Sequence, residues 1–251
     1  MTLLKDIISA PIMRPPRILI HGVPGVGKTT FGAGCPAPIF IQTEEGADLL
    51  GVDRFPLSET YADVTAQLDT LLNEKHSYKT VVIDTLDWLE PLISAAVCQK
   101  GGKPDLSSFG YGEGYKKATL EWRSLLKKLG RLRDEKNMML VYLAHTQIST
   151  FHDPTSESYD RYEPKLHKQI RHLMVEHSDL LGFATYQLRI DKTDTGFGGK
   201  KIRAKGSGER VLYTQEQPSW TAKSRYNIPQ SLGFNWGELE LALNNKERTN
   251  D

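Results

Sequence analysis

Only two cysteines occur in the 251 residues, Cys35 and Cys98, far apart and with no C-x-x-C pair or histidine cluster near either. Structural zinc sites and disulfide frameworks need such clustering, so neither organises this chain, and the two thiols read as reduced. Excess charge of one sign is also missing: 32 Lys and Arg face 31 Asp and Glu, a formal net charge of +1. No global field therefore attracts polyanions, and any contact with nucleic acid must use local patches. No apolar run approaches the roughly 20 residues that a membrane-spanning helix needs. Met1 to Ala10 carries Lys5 and Asp6 without a signal-peptide pattern. Internal repeats and low-complexity segments are absent too. The chain is expected to be a soluble, cytoplasmic protein with one sizeable core and no membrane contact.

What is present begins with Arg17-Ile18-Leu19-Ile20-His21, a short apolar strand running into Gly22-Val23-Pro24-Gly25-Val26-Gly27-Lys28-Thr29-Thr30. The segment completes the pattern G-x-x-x-x-G-K-[ST]. Glycines let successive backbone N–H groups turn inward on phosphates without a Cβ in the way. Lys28 supplies a point charge to the β- and γ-phosphates, the Thr29 hydroxyl is placed to ligate Mg²⁺, and the helix opening at Lys28 directs its N-terminal partial charge at the same anion. An ordinary glycine turn would not need the strand before it. Gly22 to Thr30 are the residues expected to bind ATP.

Along the chain, β-branched runs alternate with segments of helical period, the pattern of a mainly parallel sheet flanked by helices in an α/β fold. Strands are expected at 17–21, 39–42, 80–84 and 138–145, and helices at 28–34, 60–74, 86–99 and 115–136. In the last helix Leu120, Leu125, Leu129 and Leu132 read as core, against a solvated face of Lys116, Lys117, Arg123, Lys127, Lys128 and Arg131. Beyond residue 178 the strand runs Leu180–Ile190, Lys201–Ala204 and Arg210–Tyr213 are separated by glycine-rich steps at 195–199 and 206–208. They predict an antiparallel C-terminal extension. The expected organisation is an extension over 1–16, an ATPase core over 17–235, and a short helix with a frayed tail over 236–251.

Three strand ends carry further chemistry. Thr80-Val81-Val82-Ile83-Asp84 is a buried strand ending in a carboxylate suited to the water shell of Mg²⁺, a role that can coexist with Asp84 or Thr85 capping the following helix. Ile39 to Gln42 leads into Thr43-Glu44-Glu45, and hydrolysis needs a carboxylate there to polarise water. Glu44 is the first choice and Glu45 its competitor. Met138 to Gln147 is a strand closing on polar residues, where Gln147, with His145 assisting, is placed to sense the γ-phosphate.

In this order the parts resemble the RecA-type recombinase ATPase core. Thr43-Glu44 is similar to that family's catalytic-glutamate segment and Ala144-His145-Thr146-Gln147 to its strand ending in the γ-phosphate-sensing glutamine. The connections Gly101–Gly112 and Ile148 to about Leu166 fall where the family keeps its DNA-binding loops. Ala222-Lys223-Ser224-Arg225-Tyr226-Asn227-Ile228-Pro229 resembles the cationic segment that reaches a neighbouring subunit's ATP. The length, the Gln-Thr-Glu-Glu-Gly step and the Ala-Lys-Ser-Arg-Tyr step look more narrowly like phage nucleotide-binding ATPases that include RecA-like single-strand annealing proteins. A first helix cut short by Gly32, Gly34, Pro36 and Pro38 fits that group.

The resemblance implies a DNA-stimulated ATPase that binds ATP and Mg²⁺ between protomers of a filament or ring. Lys28, Thr29 and Asp84 would come from one protomer and Lys223 and Arg225 from the next, with Glu44, Lys28 and Gln147 catalytic. It implies single-stranded DNA as partner, with a single-strand-binding protein as a further candidate, and annealing rather than duplex invasion, since the long arm and C-terminal domain of a full recombinase do not occur here. Phe109 and Tyr111 would stack bases while Lys103, Arg161, Lys165 and Lys168 meet phosphates; Tyr115, Phe151, His152, Tyr159 and Tyr162 are further stacking candidates. The same aromatics would serve equally to pin loops to the core. Lys200, Lys201, Arg203, Lys205 and Arg210 form a second cationic group, for the DNA path or another protomer. A helicase or helicase loader and a regulatory nucleotide sensor share most of these features. A small-molecule kinase would need an arginine-rich lid that the sequence does not carry.

Overall fold

Five strands of aliphatic and β-branched residues form the centre of the fold: β1 (Arg17–Gly22), β2 (Pro38–Gln42), β3 (Thr80–Asp84), β4 (Met139–Phe151) and β6 (Leu180–Thr195). The structure is a computed structural model and describes residues 14–48, 50–153, 157–195 and 199–245, with the side chains of 188–207 outside that description. The sheet order is β2-β3-β4-β1-β6-β7-β9, where β7 is Gly199–Tyr213 and β9 is Ser231–Gly233. From β2 to β6 every pairing is parallel. Beyond β6 the pairing turns antiparallel, with β7 on β6, β8 (Lys223–Ser224) also on β6, and β9 on β7. The expected parallel sheet with an antiparallel C-terminal extension is therefore the observed architecture.

The strands read as nearly continuous apolar runs because both faces are covered. Alternate residues serve opposite layers. Leu19, Ile41, Val81, Ile83, Leu140 and Tyr142 pack under α2 (Tyr61–Asn73), α3 (Leu86–Gly101), α4 (Glu113–Lys136) and α5 (Lys168–His177). Ile18, Ile20, Phe40, Val82, Val141 and Leu143 face α1 (Lys28–Ala33) and α6 (Trp236–Asn244). Phe31 of α1 stacks on Phe234 with ring centroids 5.1 Å apart and meets Trp236 edge-on at 6.1 Å. That contact docks the C-terminal helix beside the phosphate loop's own helix.

Some elements differ from expectation. Leu120 is 65% exposed, whereas Leu125, Leu129 and Leu132 are buried. The buried stripe of α4 runs through Ala118, Trp122, Leu125, Leu126, Leu129 and Leu132 instead, and Leu120 lies off it by helical geometry. Part of the cationic face is paired, as Lys128 lies 2.8 Å from Asp69 and Arg131 2.7 Å from Glu135. The segment read as a loop after Gln147 is a β-hairpin: β4 continues to Phe151 and pairs with β5 (Tyr159–Pro164), followed by α5. Gly206 lies within β7 opposite Leu188, so the 206–208 step accompanies a register shift between Tyr186 and Leu188, not a turn between strands.

Candidate nucleotide site

Strand register alone gathers the site. Gly22, where the phosphate loop starts, lies level with His145 on one side and Ala184 on the other; Gln42 is level with Asp84, and Asp84 with Leu143. All are carboxyl ends of parallel strands, the edge at which open α/β sheets bind ligands. Gly25 at φ 74° and Gly27 at φ 98° occupy the left-handed region that the loop's turn requires. Lys28 is buried, and its Nζ donates to the carbonyls of Gly22 at 3.2 Å and Val23 at 3.4 Å. Burial pushes its ammonium pKa down, against the pull of Asp84, Asp87 and Glu44.

Asp84 is buried at the end of β3. Burial raises its carboxyl pKa, opposed by a hydrogen bond from Thr29 and by the charge of Lys28. Among the described residues its Oδ1 has no hydrogen-bond partner. A buried, unpartnered carboxylate oxygen beside a threonine hydroxyl is a hard-oxygen donor pair, and it fits Mg²⁺ with its water shell. Thr85 does not use its side chain to cap α3, so the capping role does not account for that hydroxyl.

Thr43 fixes where Glu44 goes. The Thr43 N–H donates to the Asp84 carbonyl at 2.8 Å, its Oγ1 donates to the Thr85 carbonyl at 2.7 Å, and the Thr85 N–H donates back to that Oγ1 at 2.9 Å. These bonds sew the end of β2 to the end of β3. Glu44 is half-buried next to them and Glu45 is exposed. Burial pushes the Glu44 carboxyl pKa up, Asp84 and Asp87 push it the same way, and His145 opposes them.

Asp87 was not anticipated. It sits in the first turn of α3, three residues after Asp84, and that D-x-x-D spacing across a strand–helix junction is the signal that marks it. Its Oδ1 accepts the backbone N–H of His145 at 2.8 Å, and its Oδ2 lies 2.9 Å from His145 Nδ1. Burial alone would raise the Asp87 pKa, but the His145 bonds and the Thr85 hydroxyl hold it below the usual range. Beneath the loop, buried His21 bridges the Thr221 carbonyl (Nε2, 2.8 Å) and Thr146 Oγ1 (Nδ1, 3.1 Å).

Gln147 turns along the hairpin, its Nε2 3.4 Å from Ser149 Oγ and 3.5 Å from Glu163 Oε1. It opens onto a cleft of about 1100 Å³ that also reaches Asp87, Arg161, Lys165 and Lys168. Lys103, Phe109 and Tyr111 lie outside that cleft. Arg161 pairs with Glu216 at 3.2 Å and lies 4.5 Å over the Phe151 ring. Glu90, Glu163 and Glu176 line the same cleft, so its charge is mixed. Lys165 and Lys168 are exposed. Phe109 packs on the end of α3, where a Cβ at Gly101 would fall 2.4 Å from its ring, whereas Tyr111 is fully exposed. Tyr115 stacks on His167 at 4.9 Å and Tyr162 on Phe183 at 5.1 Å, both pinning roles.

Lys223 and Arg225 are at the other end of the sheet. Lys223 Nζ donates to the carbonyls of Val175 at 2.7 Å and Ser178 at 3.0 Å, and Arg225 pairs with Asp179 at 3.0 Å. Asp179 is hydrogen-bonded to the backbone of Arg17. Five strand residues at about 3.3 Å each put that level roughly 16 Å from Gly22, so neither cation reaches the phosphate loop of its own chain. The side chains of Lys200, Lys201, Arg203 and Lys205 lie outside the described residues. Arg210 is instead found against the phosphate loop, its Nη1 2.6 Å from where a Gly27 Cβ would be.

Among the described residues no helix is long and apolar enough to cross a membrane. A search of curated proteins returned no match. A family model described as an AAA domain matches residues 14–226, a span that runs from the start of the described chain through the phosphate loop, Glu44, Asp84, Asp87 and His145 to the β8 region. On that match and this strand-edge site, the chain belongs to the AAA domain family, as a nucleotide-binding, ATPase-type P-loop protein.

Proposed function

We propose that this chain is a RecA-like ATPase that binds single-stranded DNA and promotes the annealing of complementary strands. The observation that carries the reading is the continuity of β4, which leaves the nucleotide site at His145 and extends without a break into the β4–β5 hairpin that walls the cleft. A change at the γ-phosphate would thus be passed along one strand to the DNA-facing surface, through Gln147.

Lys28 and the loop amides hold the phosphates of ATP, and Thr29 and Asp84 hold Mg²⁺, which supplies charge neutralisation on the phosphoryl oxygens. Glu44 polarises the attacking water. Its half-buried position beside Asp84 and the Asp87–His145 pair supports it over the exposed Glu45. His145 is aimed by Asp87 and stabilises charge at the strand end. Lys223 and Arg225 act in trans on a neighbour's ATP, so isolated subunits hydrolyse slowly and the working form is a filament or ring. Arg161, Lys165 and Lys168 in the cleft, and Lys103 with Tyr111 beyond it, meet DNA through phosphates and stacking with little sequence preference. The mixed charge of the cleft favours modest, salt-sensitive binding. A phage origin and a single-strand-binding partner follow from the resemblance alone.

The test is annealing of two complementary oligonucleotides, followed by fluorescence quenching with and without ATP. Protein-accelerated annealing without unwinding of a forked duplex supports the reading. Unwinding of the fork, or no effect on either substrate, contradicts it.

A further inference from the structure

Gly27 has a close neighbour that comes from far along the chain. The guanidinium of Arg210, on β7, approaches so near that a Cβ at Gly27 would lie 2.6 Å from Nη1 and 3.5 Å from Cζ. Arg210 is level with Tyr186 on β6. Tyr186 in turn donates from its hydroxyl to the Gly25 carbonyl at 2.8 Å, and a Cβ at Gly25 would sit 3.9 Å from that hydroxyl. Two facing residues of the β6–β7 ladder thus grip the phosphate loop at its two left-handed glycines, one through a hydrogen bond and one with a positive charge.

The base of the ladder is anchored for this task. β6 pairs with β1 through Ala184, level with Gly22, and the Val23 N–H donates to the Ala184 carbonyl at 3.4 Å. Phe234 N–H donates to the Arg210 carbonyl at 3.0 Å, which fixes the backbone of Arg210 against the segment leading into α6. Among the described residues no carboxylate pairs with the Arg210 guanidinium. Arg225, Arg161 and Lys223, by contrast, each have partners within the chain: Asp179, Glu216 and two carbonyls respectively. An arginine held over a loop whose chemistry is to bind phosphate, with no acid of its own, is complementary to an anion that arrives from outside. A planar guanidinium suits the oxygens of a phosphate, to which it offers paired N–H donors.

We propose that Arg210 binds the polyphosphate of the nucleotide in cis, from the same chain as Lys28, with Tyr186 as the positioning residue that sets the height of the loop beneath it. The inference rests on the nucleotide-site reading above and adds to it a phosphate ligand on the antiparallel extension. It also gives that extension a role at the nucleotide.

The experiment measures affinity for a fluorescent ATP analogue, and its displacement by inorganic tripolyphosphate, in the wild-type chain and in Arg210→Ala, Arg210→Lys and Tyr186→Phe. Arg210 is exposed and pairs with no carboxylate among the described residues, so Arg210→Ala is expected to keep the wild-type melting temperature. Arg210→Ala should weaken both the analogue and tripolyphosphate about tenfold or more, Arg210→Lys should recover part of the loss, and Tyr186→Phe should have a smaller effect of the same sign. Unchanged tripolyphosphate affinity in folded Arg210→Ala overturns the phosphate role, including the case in which only the analogue is weakened and the arginine serves the base. A wild-type chain that binds neither probe overturns the nucleotide reading itself and Arg210's role with it.

Discussion

His145 Nδ1 lies 2.9 Å from Asp87 Oδ2, while the other oxygen of the same carboxylate accepts the His145 backbone N–H at 2.8 Å. One side chain on α3 therefore fixes both the main chain and the ring of the residue level with the start of the phosphate loop. When protonated, the imidazole opposes the upward push that burial and the neighbouring carboxylates give the pKa values of Glu44 and Asp84. Asp87→Asn keeps the shape but weakens the hold on the ring; it should lower kcat more than it raises KM, on the order of tenfold, in steady-state ATP hydrolysis.

Lys28→Ala should abolish ATP binding, whereas Glu44→Gln should keep it and lose hydrolysis by about 10² to 10⁴-fold. Equilibrium binding beside steady-state hydrolysis separates the two. If Glu44 polarises the attacking water as proposed, it must be ionised, and because its pKa is raised the wild-type rate should fall with decreasing pH above the range of an ordinary glutamate.

Asp84 also has a raised folded-state pKa, so at neutral pH its charge opposes folding, and the penalty eases as pH falls through that pKa. Asp84→Asn should stabilise the nucleotide-free chain by on the order of 1 kcal/mol while removing Mg²⁺-dependent hydrolysis. Thermal melts without Mg²⁺ measure the first effect; a lower melting temperature would show that pairing with Lys28 outweighs burial.

His21 is fully buried and its pKa is pushed down from 6.5 to about 4, by burial first and then by the charge of Lys28. The unfolded chain takes up this proton below about pH 6.5 and the folded chain does so only near pH 4. Stability from neutral His21 is therefore present above pH 6.5 and is lost as pH falls through that window, by a few kcal/mol in all. His21→Gln should flatten the acid limb of a urea-denaturation series between pH 6.5 and 4, at some cost in stability at neutral pH.

Arg225→Ala should impair hydrolysis far more than nucleotide binding, on the order of 10³-fold if the residue acts as an arginine finger in trans. Arg225 is the half-exposed member of its pair with buried Asp179, which keeps Arg17 and Arg133 as partners, so the substitution should leave the chain folded. Mixing Arg225→Ala with Lys28→Ala subunits should restore part of the rate, because some interfaces then join an intact phosphate loop to an intact Arg225. Rates that merely average would place the residue outside the site.

Tyr111→Ala should weaken binding of single-stranded DNA, by about 1–3 kcal/mol for one stacked base, without changing the melting temperature. Phe109→Ala should instead lower the melting temperature, because its ring is packed on the end of α3. Fluorescence anisotropy with a labelled oligonucleotide and thermal melts distinguish the two.

The parallel core was legible because β1, β3 and β4 are uninterrupted apolar runs ending in polar residues, a pattern that fixes both strand and ligand edge. The β4–β5 hairpin was not, because Ile148 to Pro164 is rich in Ser, Thr, Asp and Glu and pairs only through its partner strand. Leu120 shows the same limit on a helix: a leucine at nearly the right spacing falls outside the stripe that Trp122 and Ala118 define. Arg210 could not be placed from sequence at all, since its approach to Gly27 depends on a register shift in the β6–β7 ladder.

The central claim, an ATP site coupled to DNA and shared between protomers, is tested most directly by steady-state ATP hydrolysis across a range of protein concentrations with and without single-stranded DNA. The account predicts stimulation by DNA and a rate that rises more steeply than linearly with protein. A rate that is indifferent to DNA and linear in protein would contradict it.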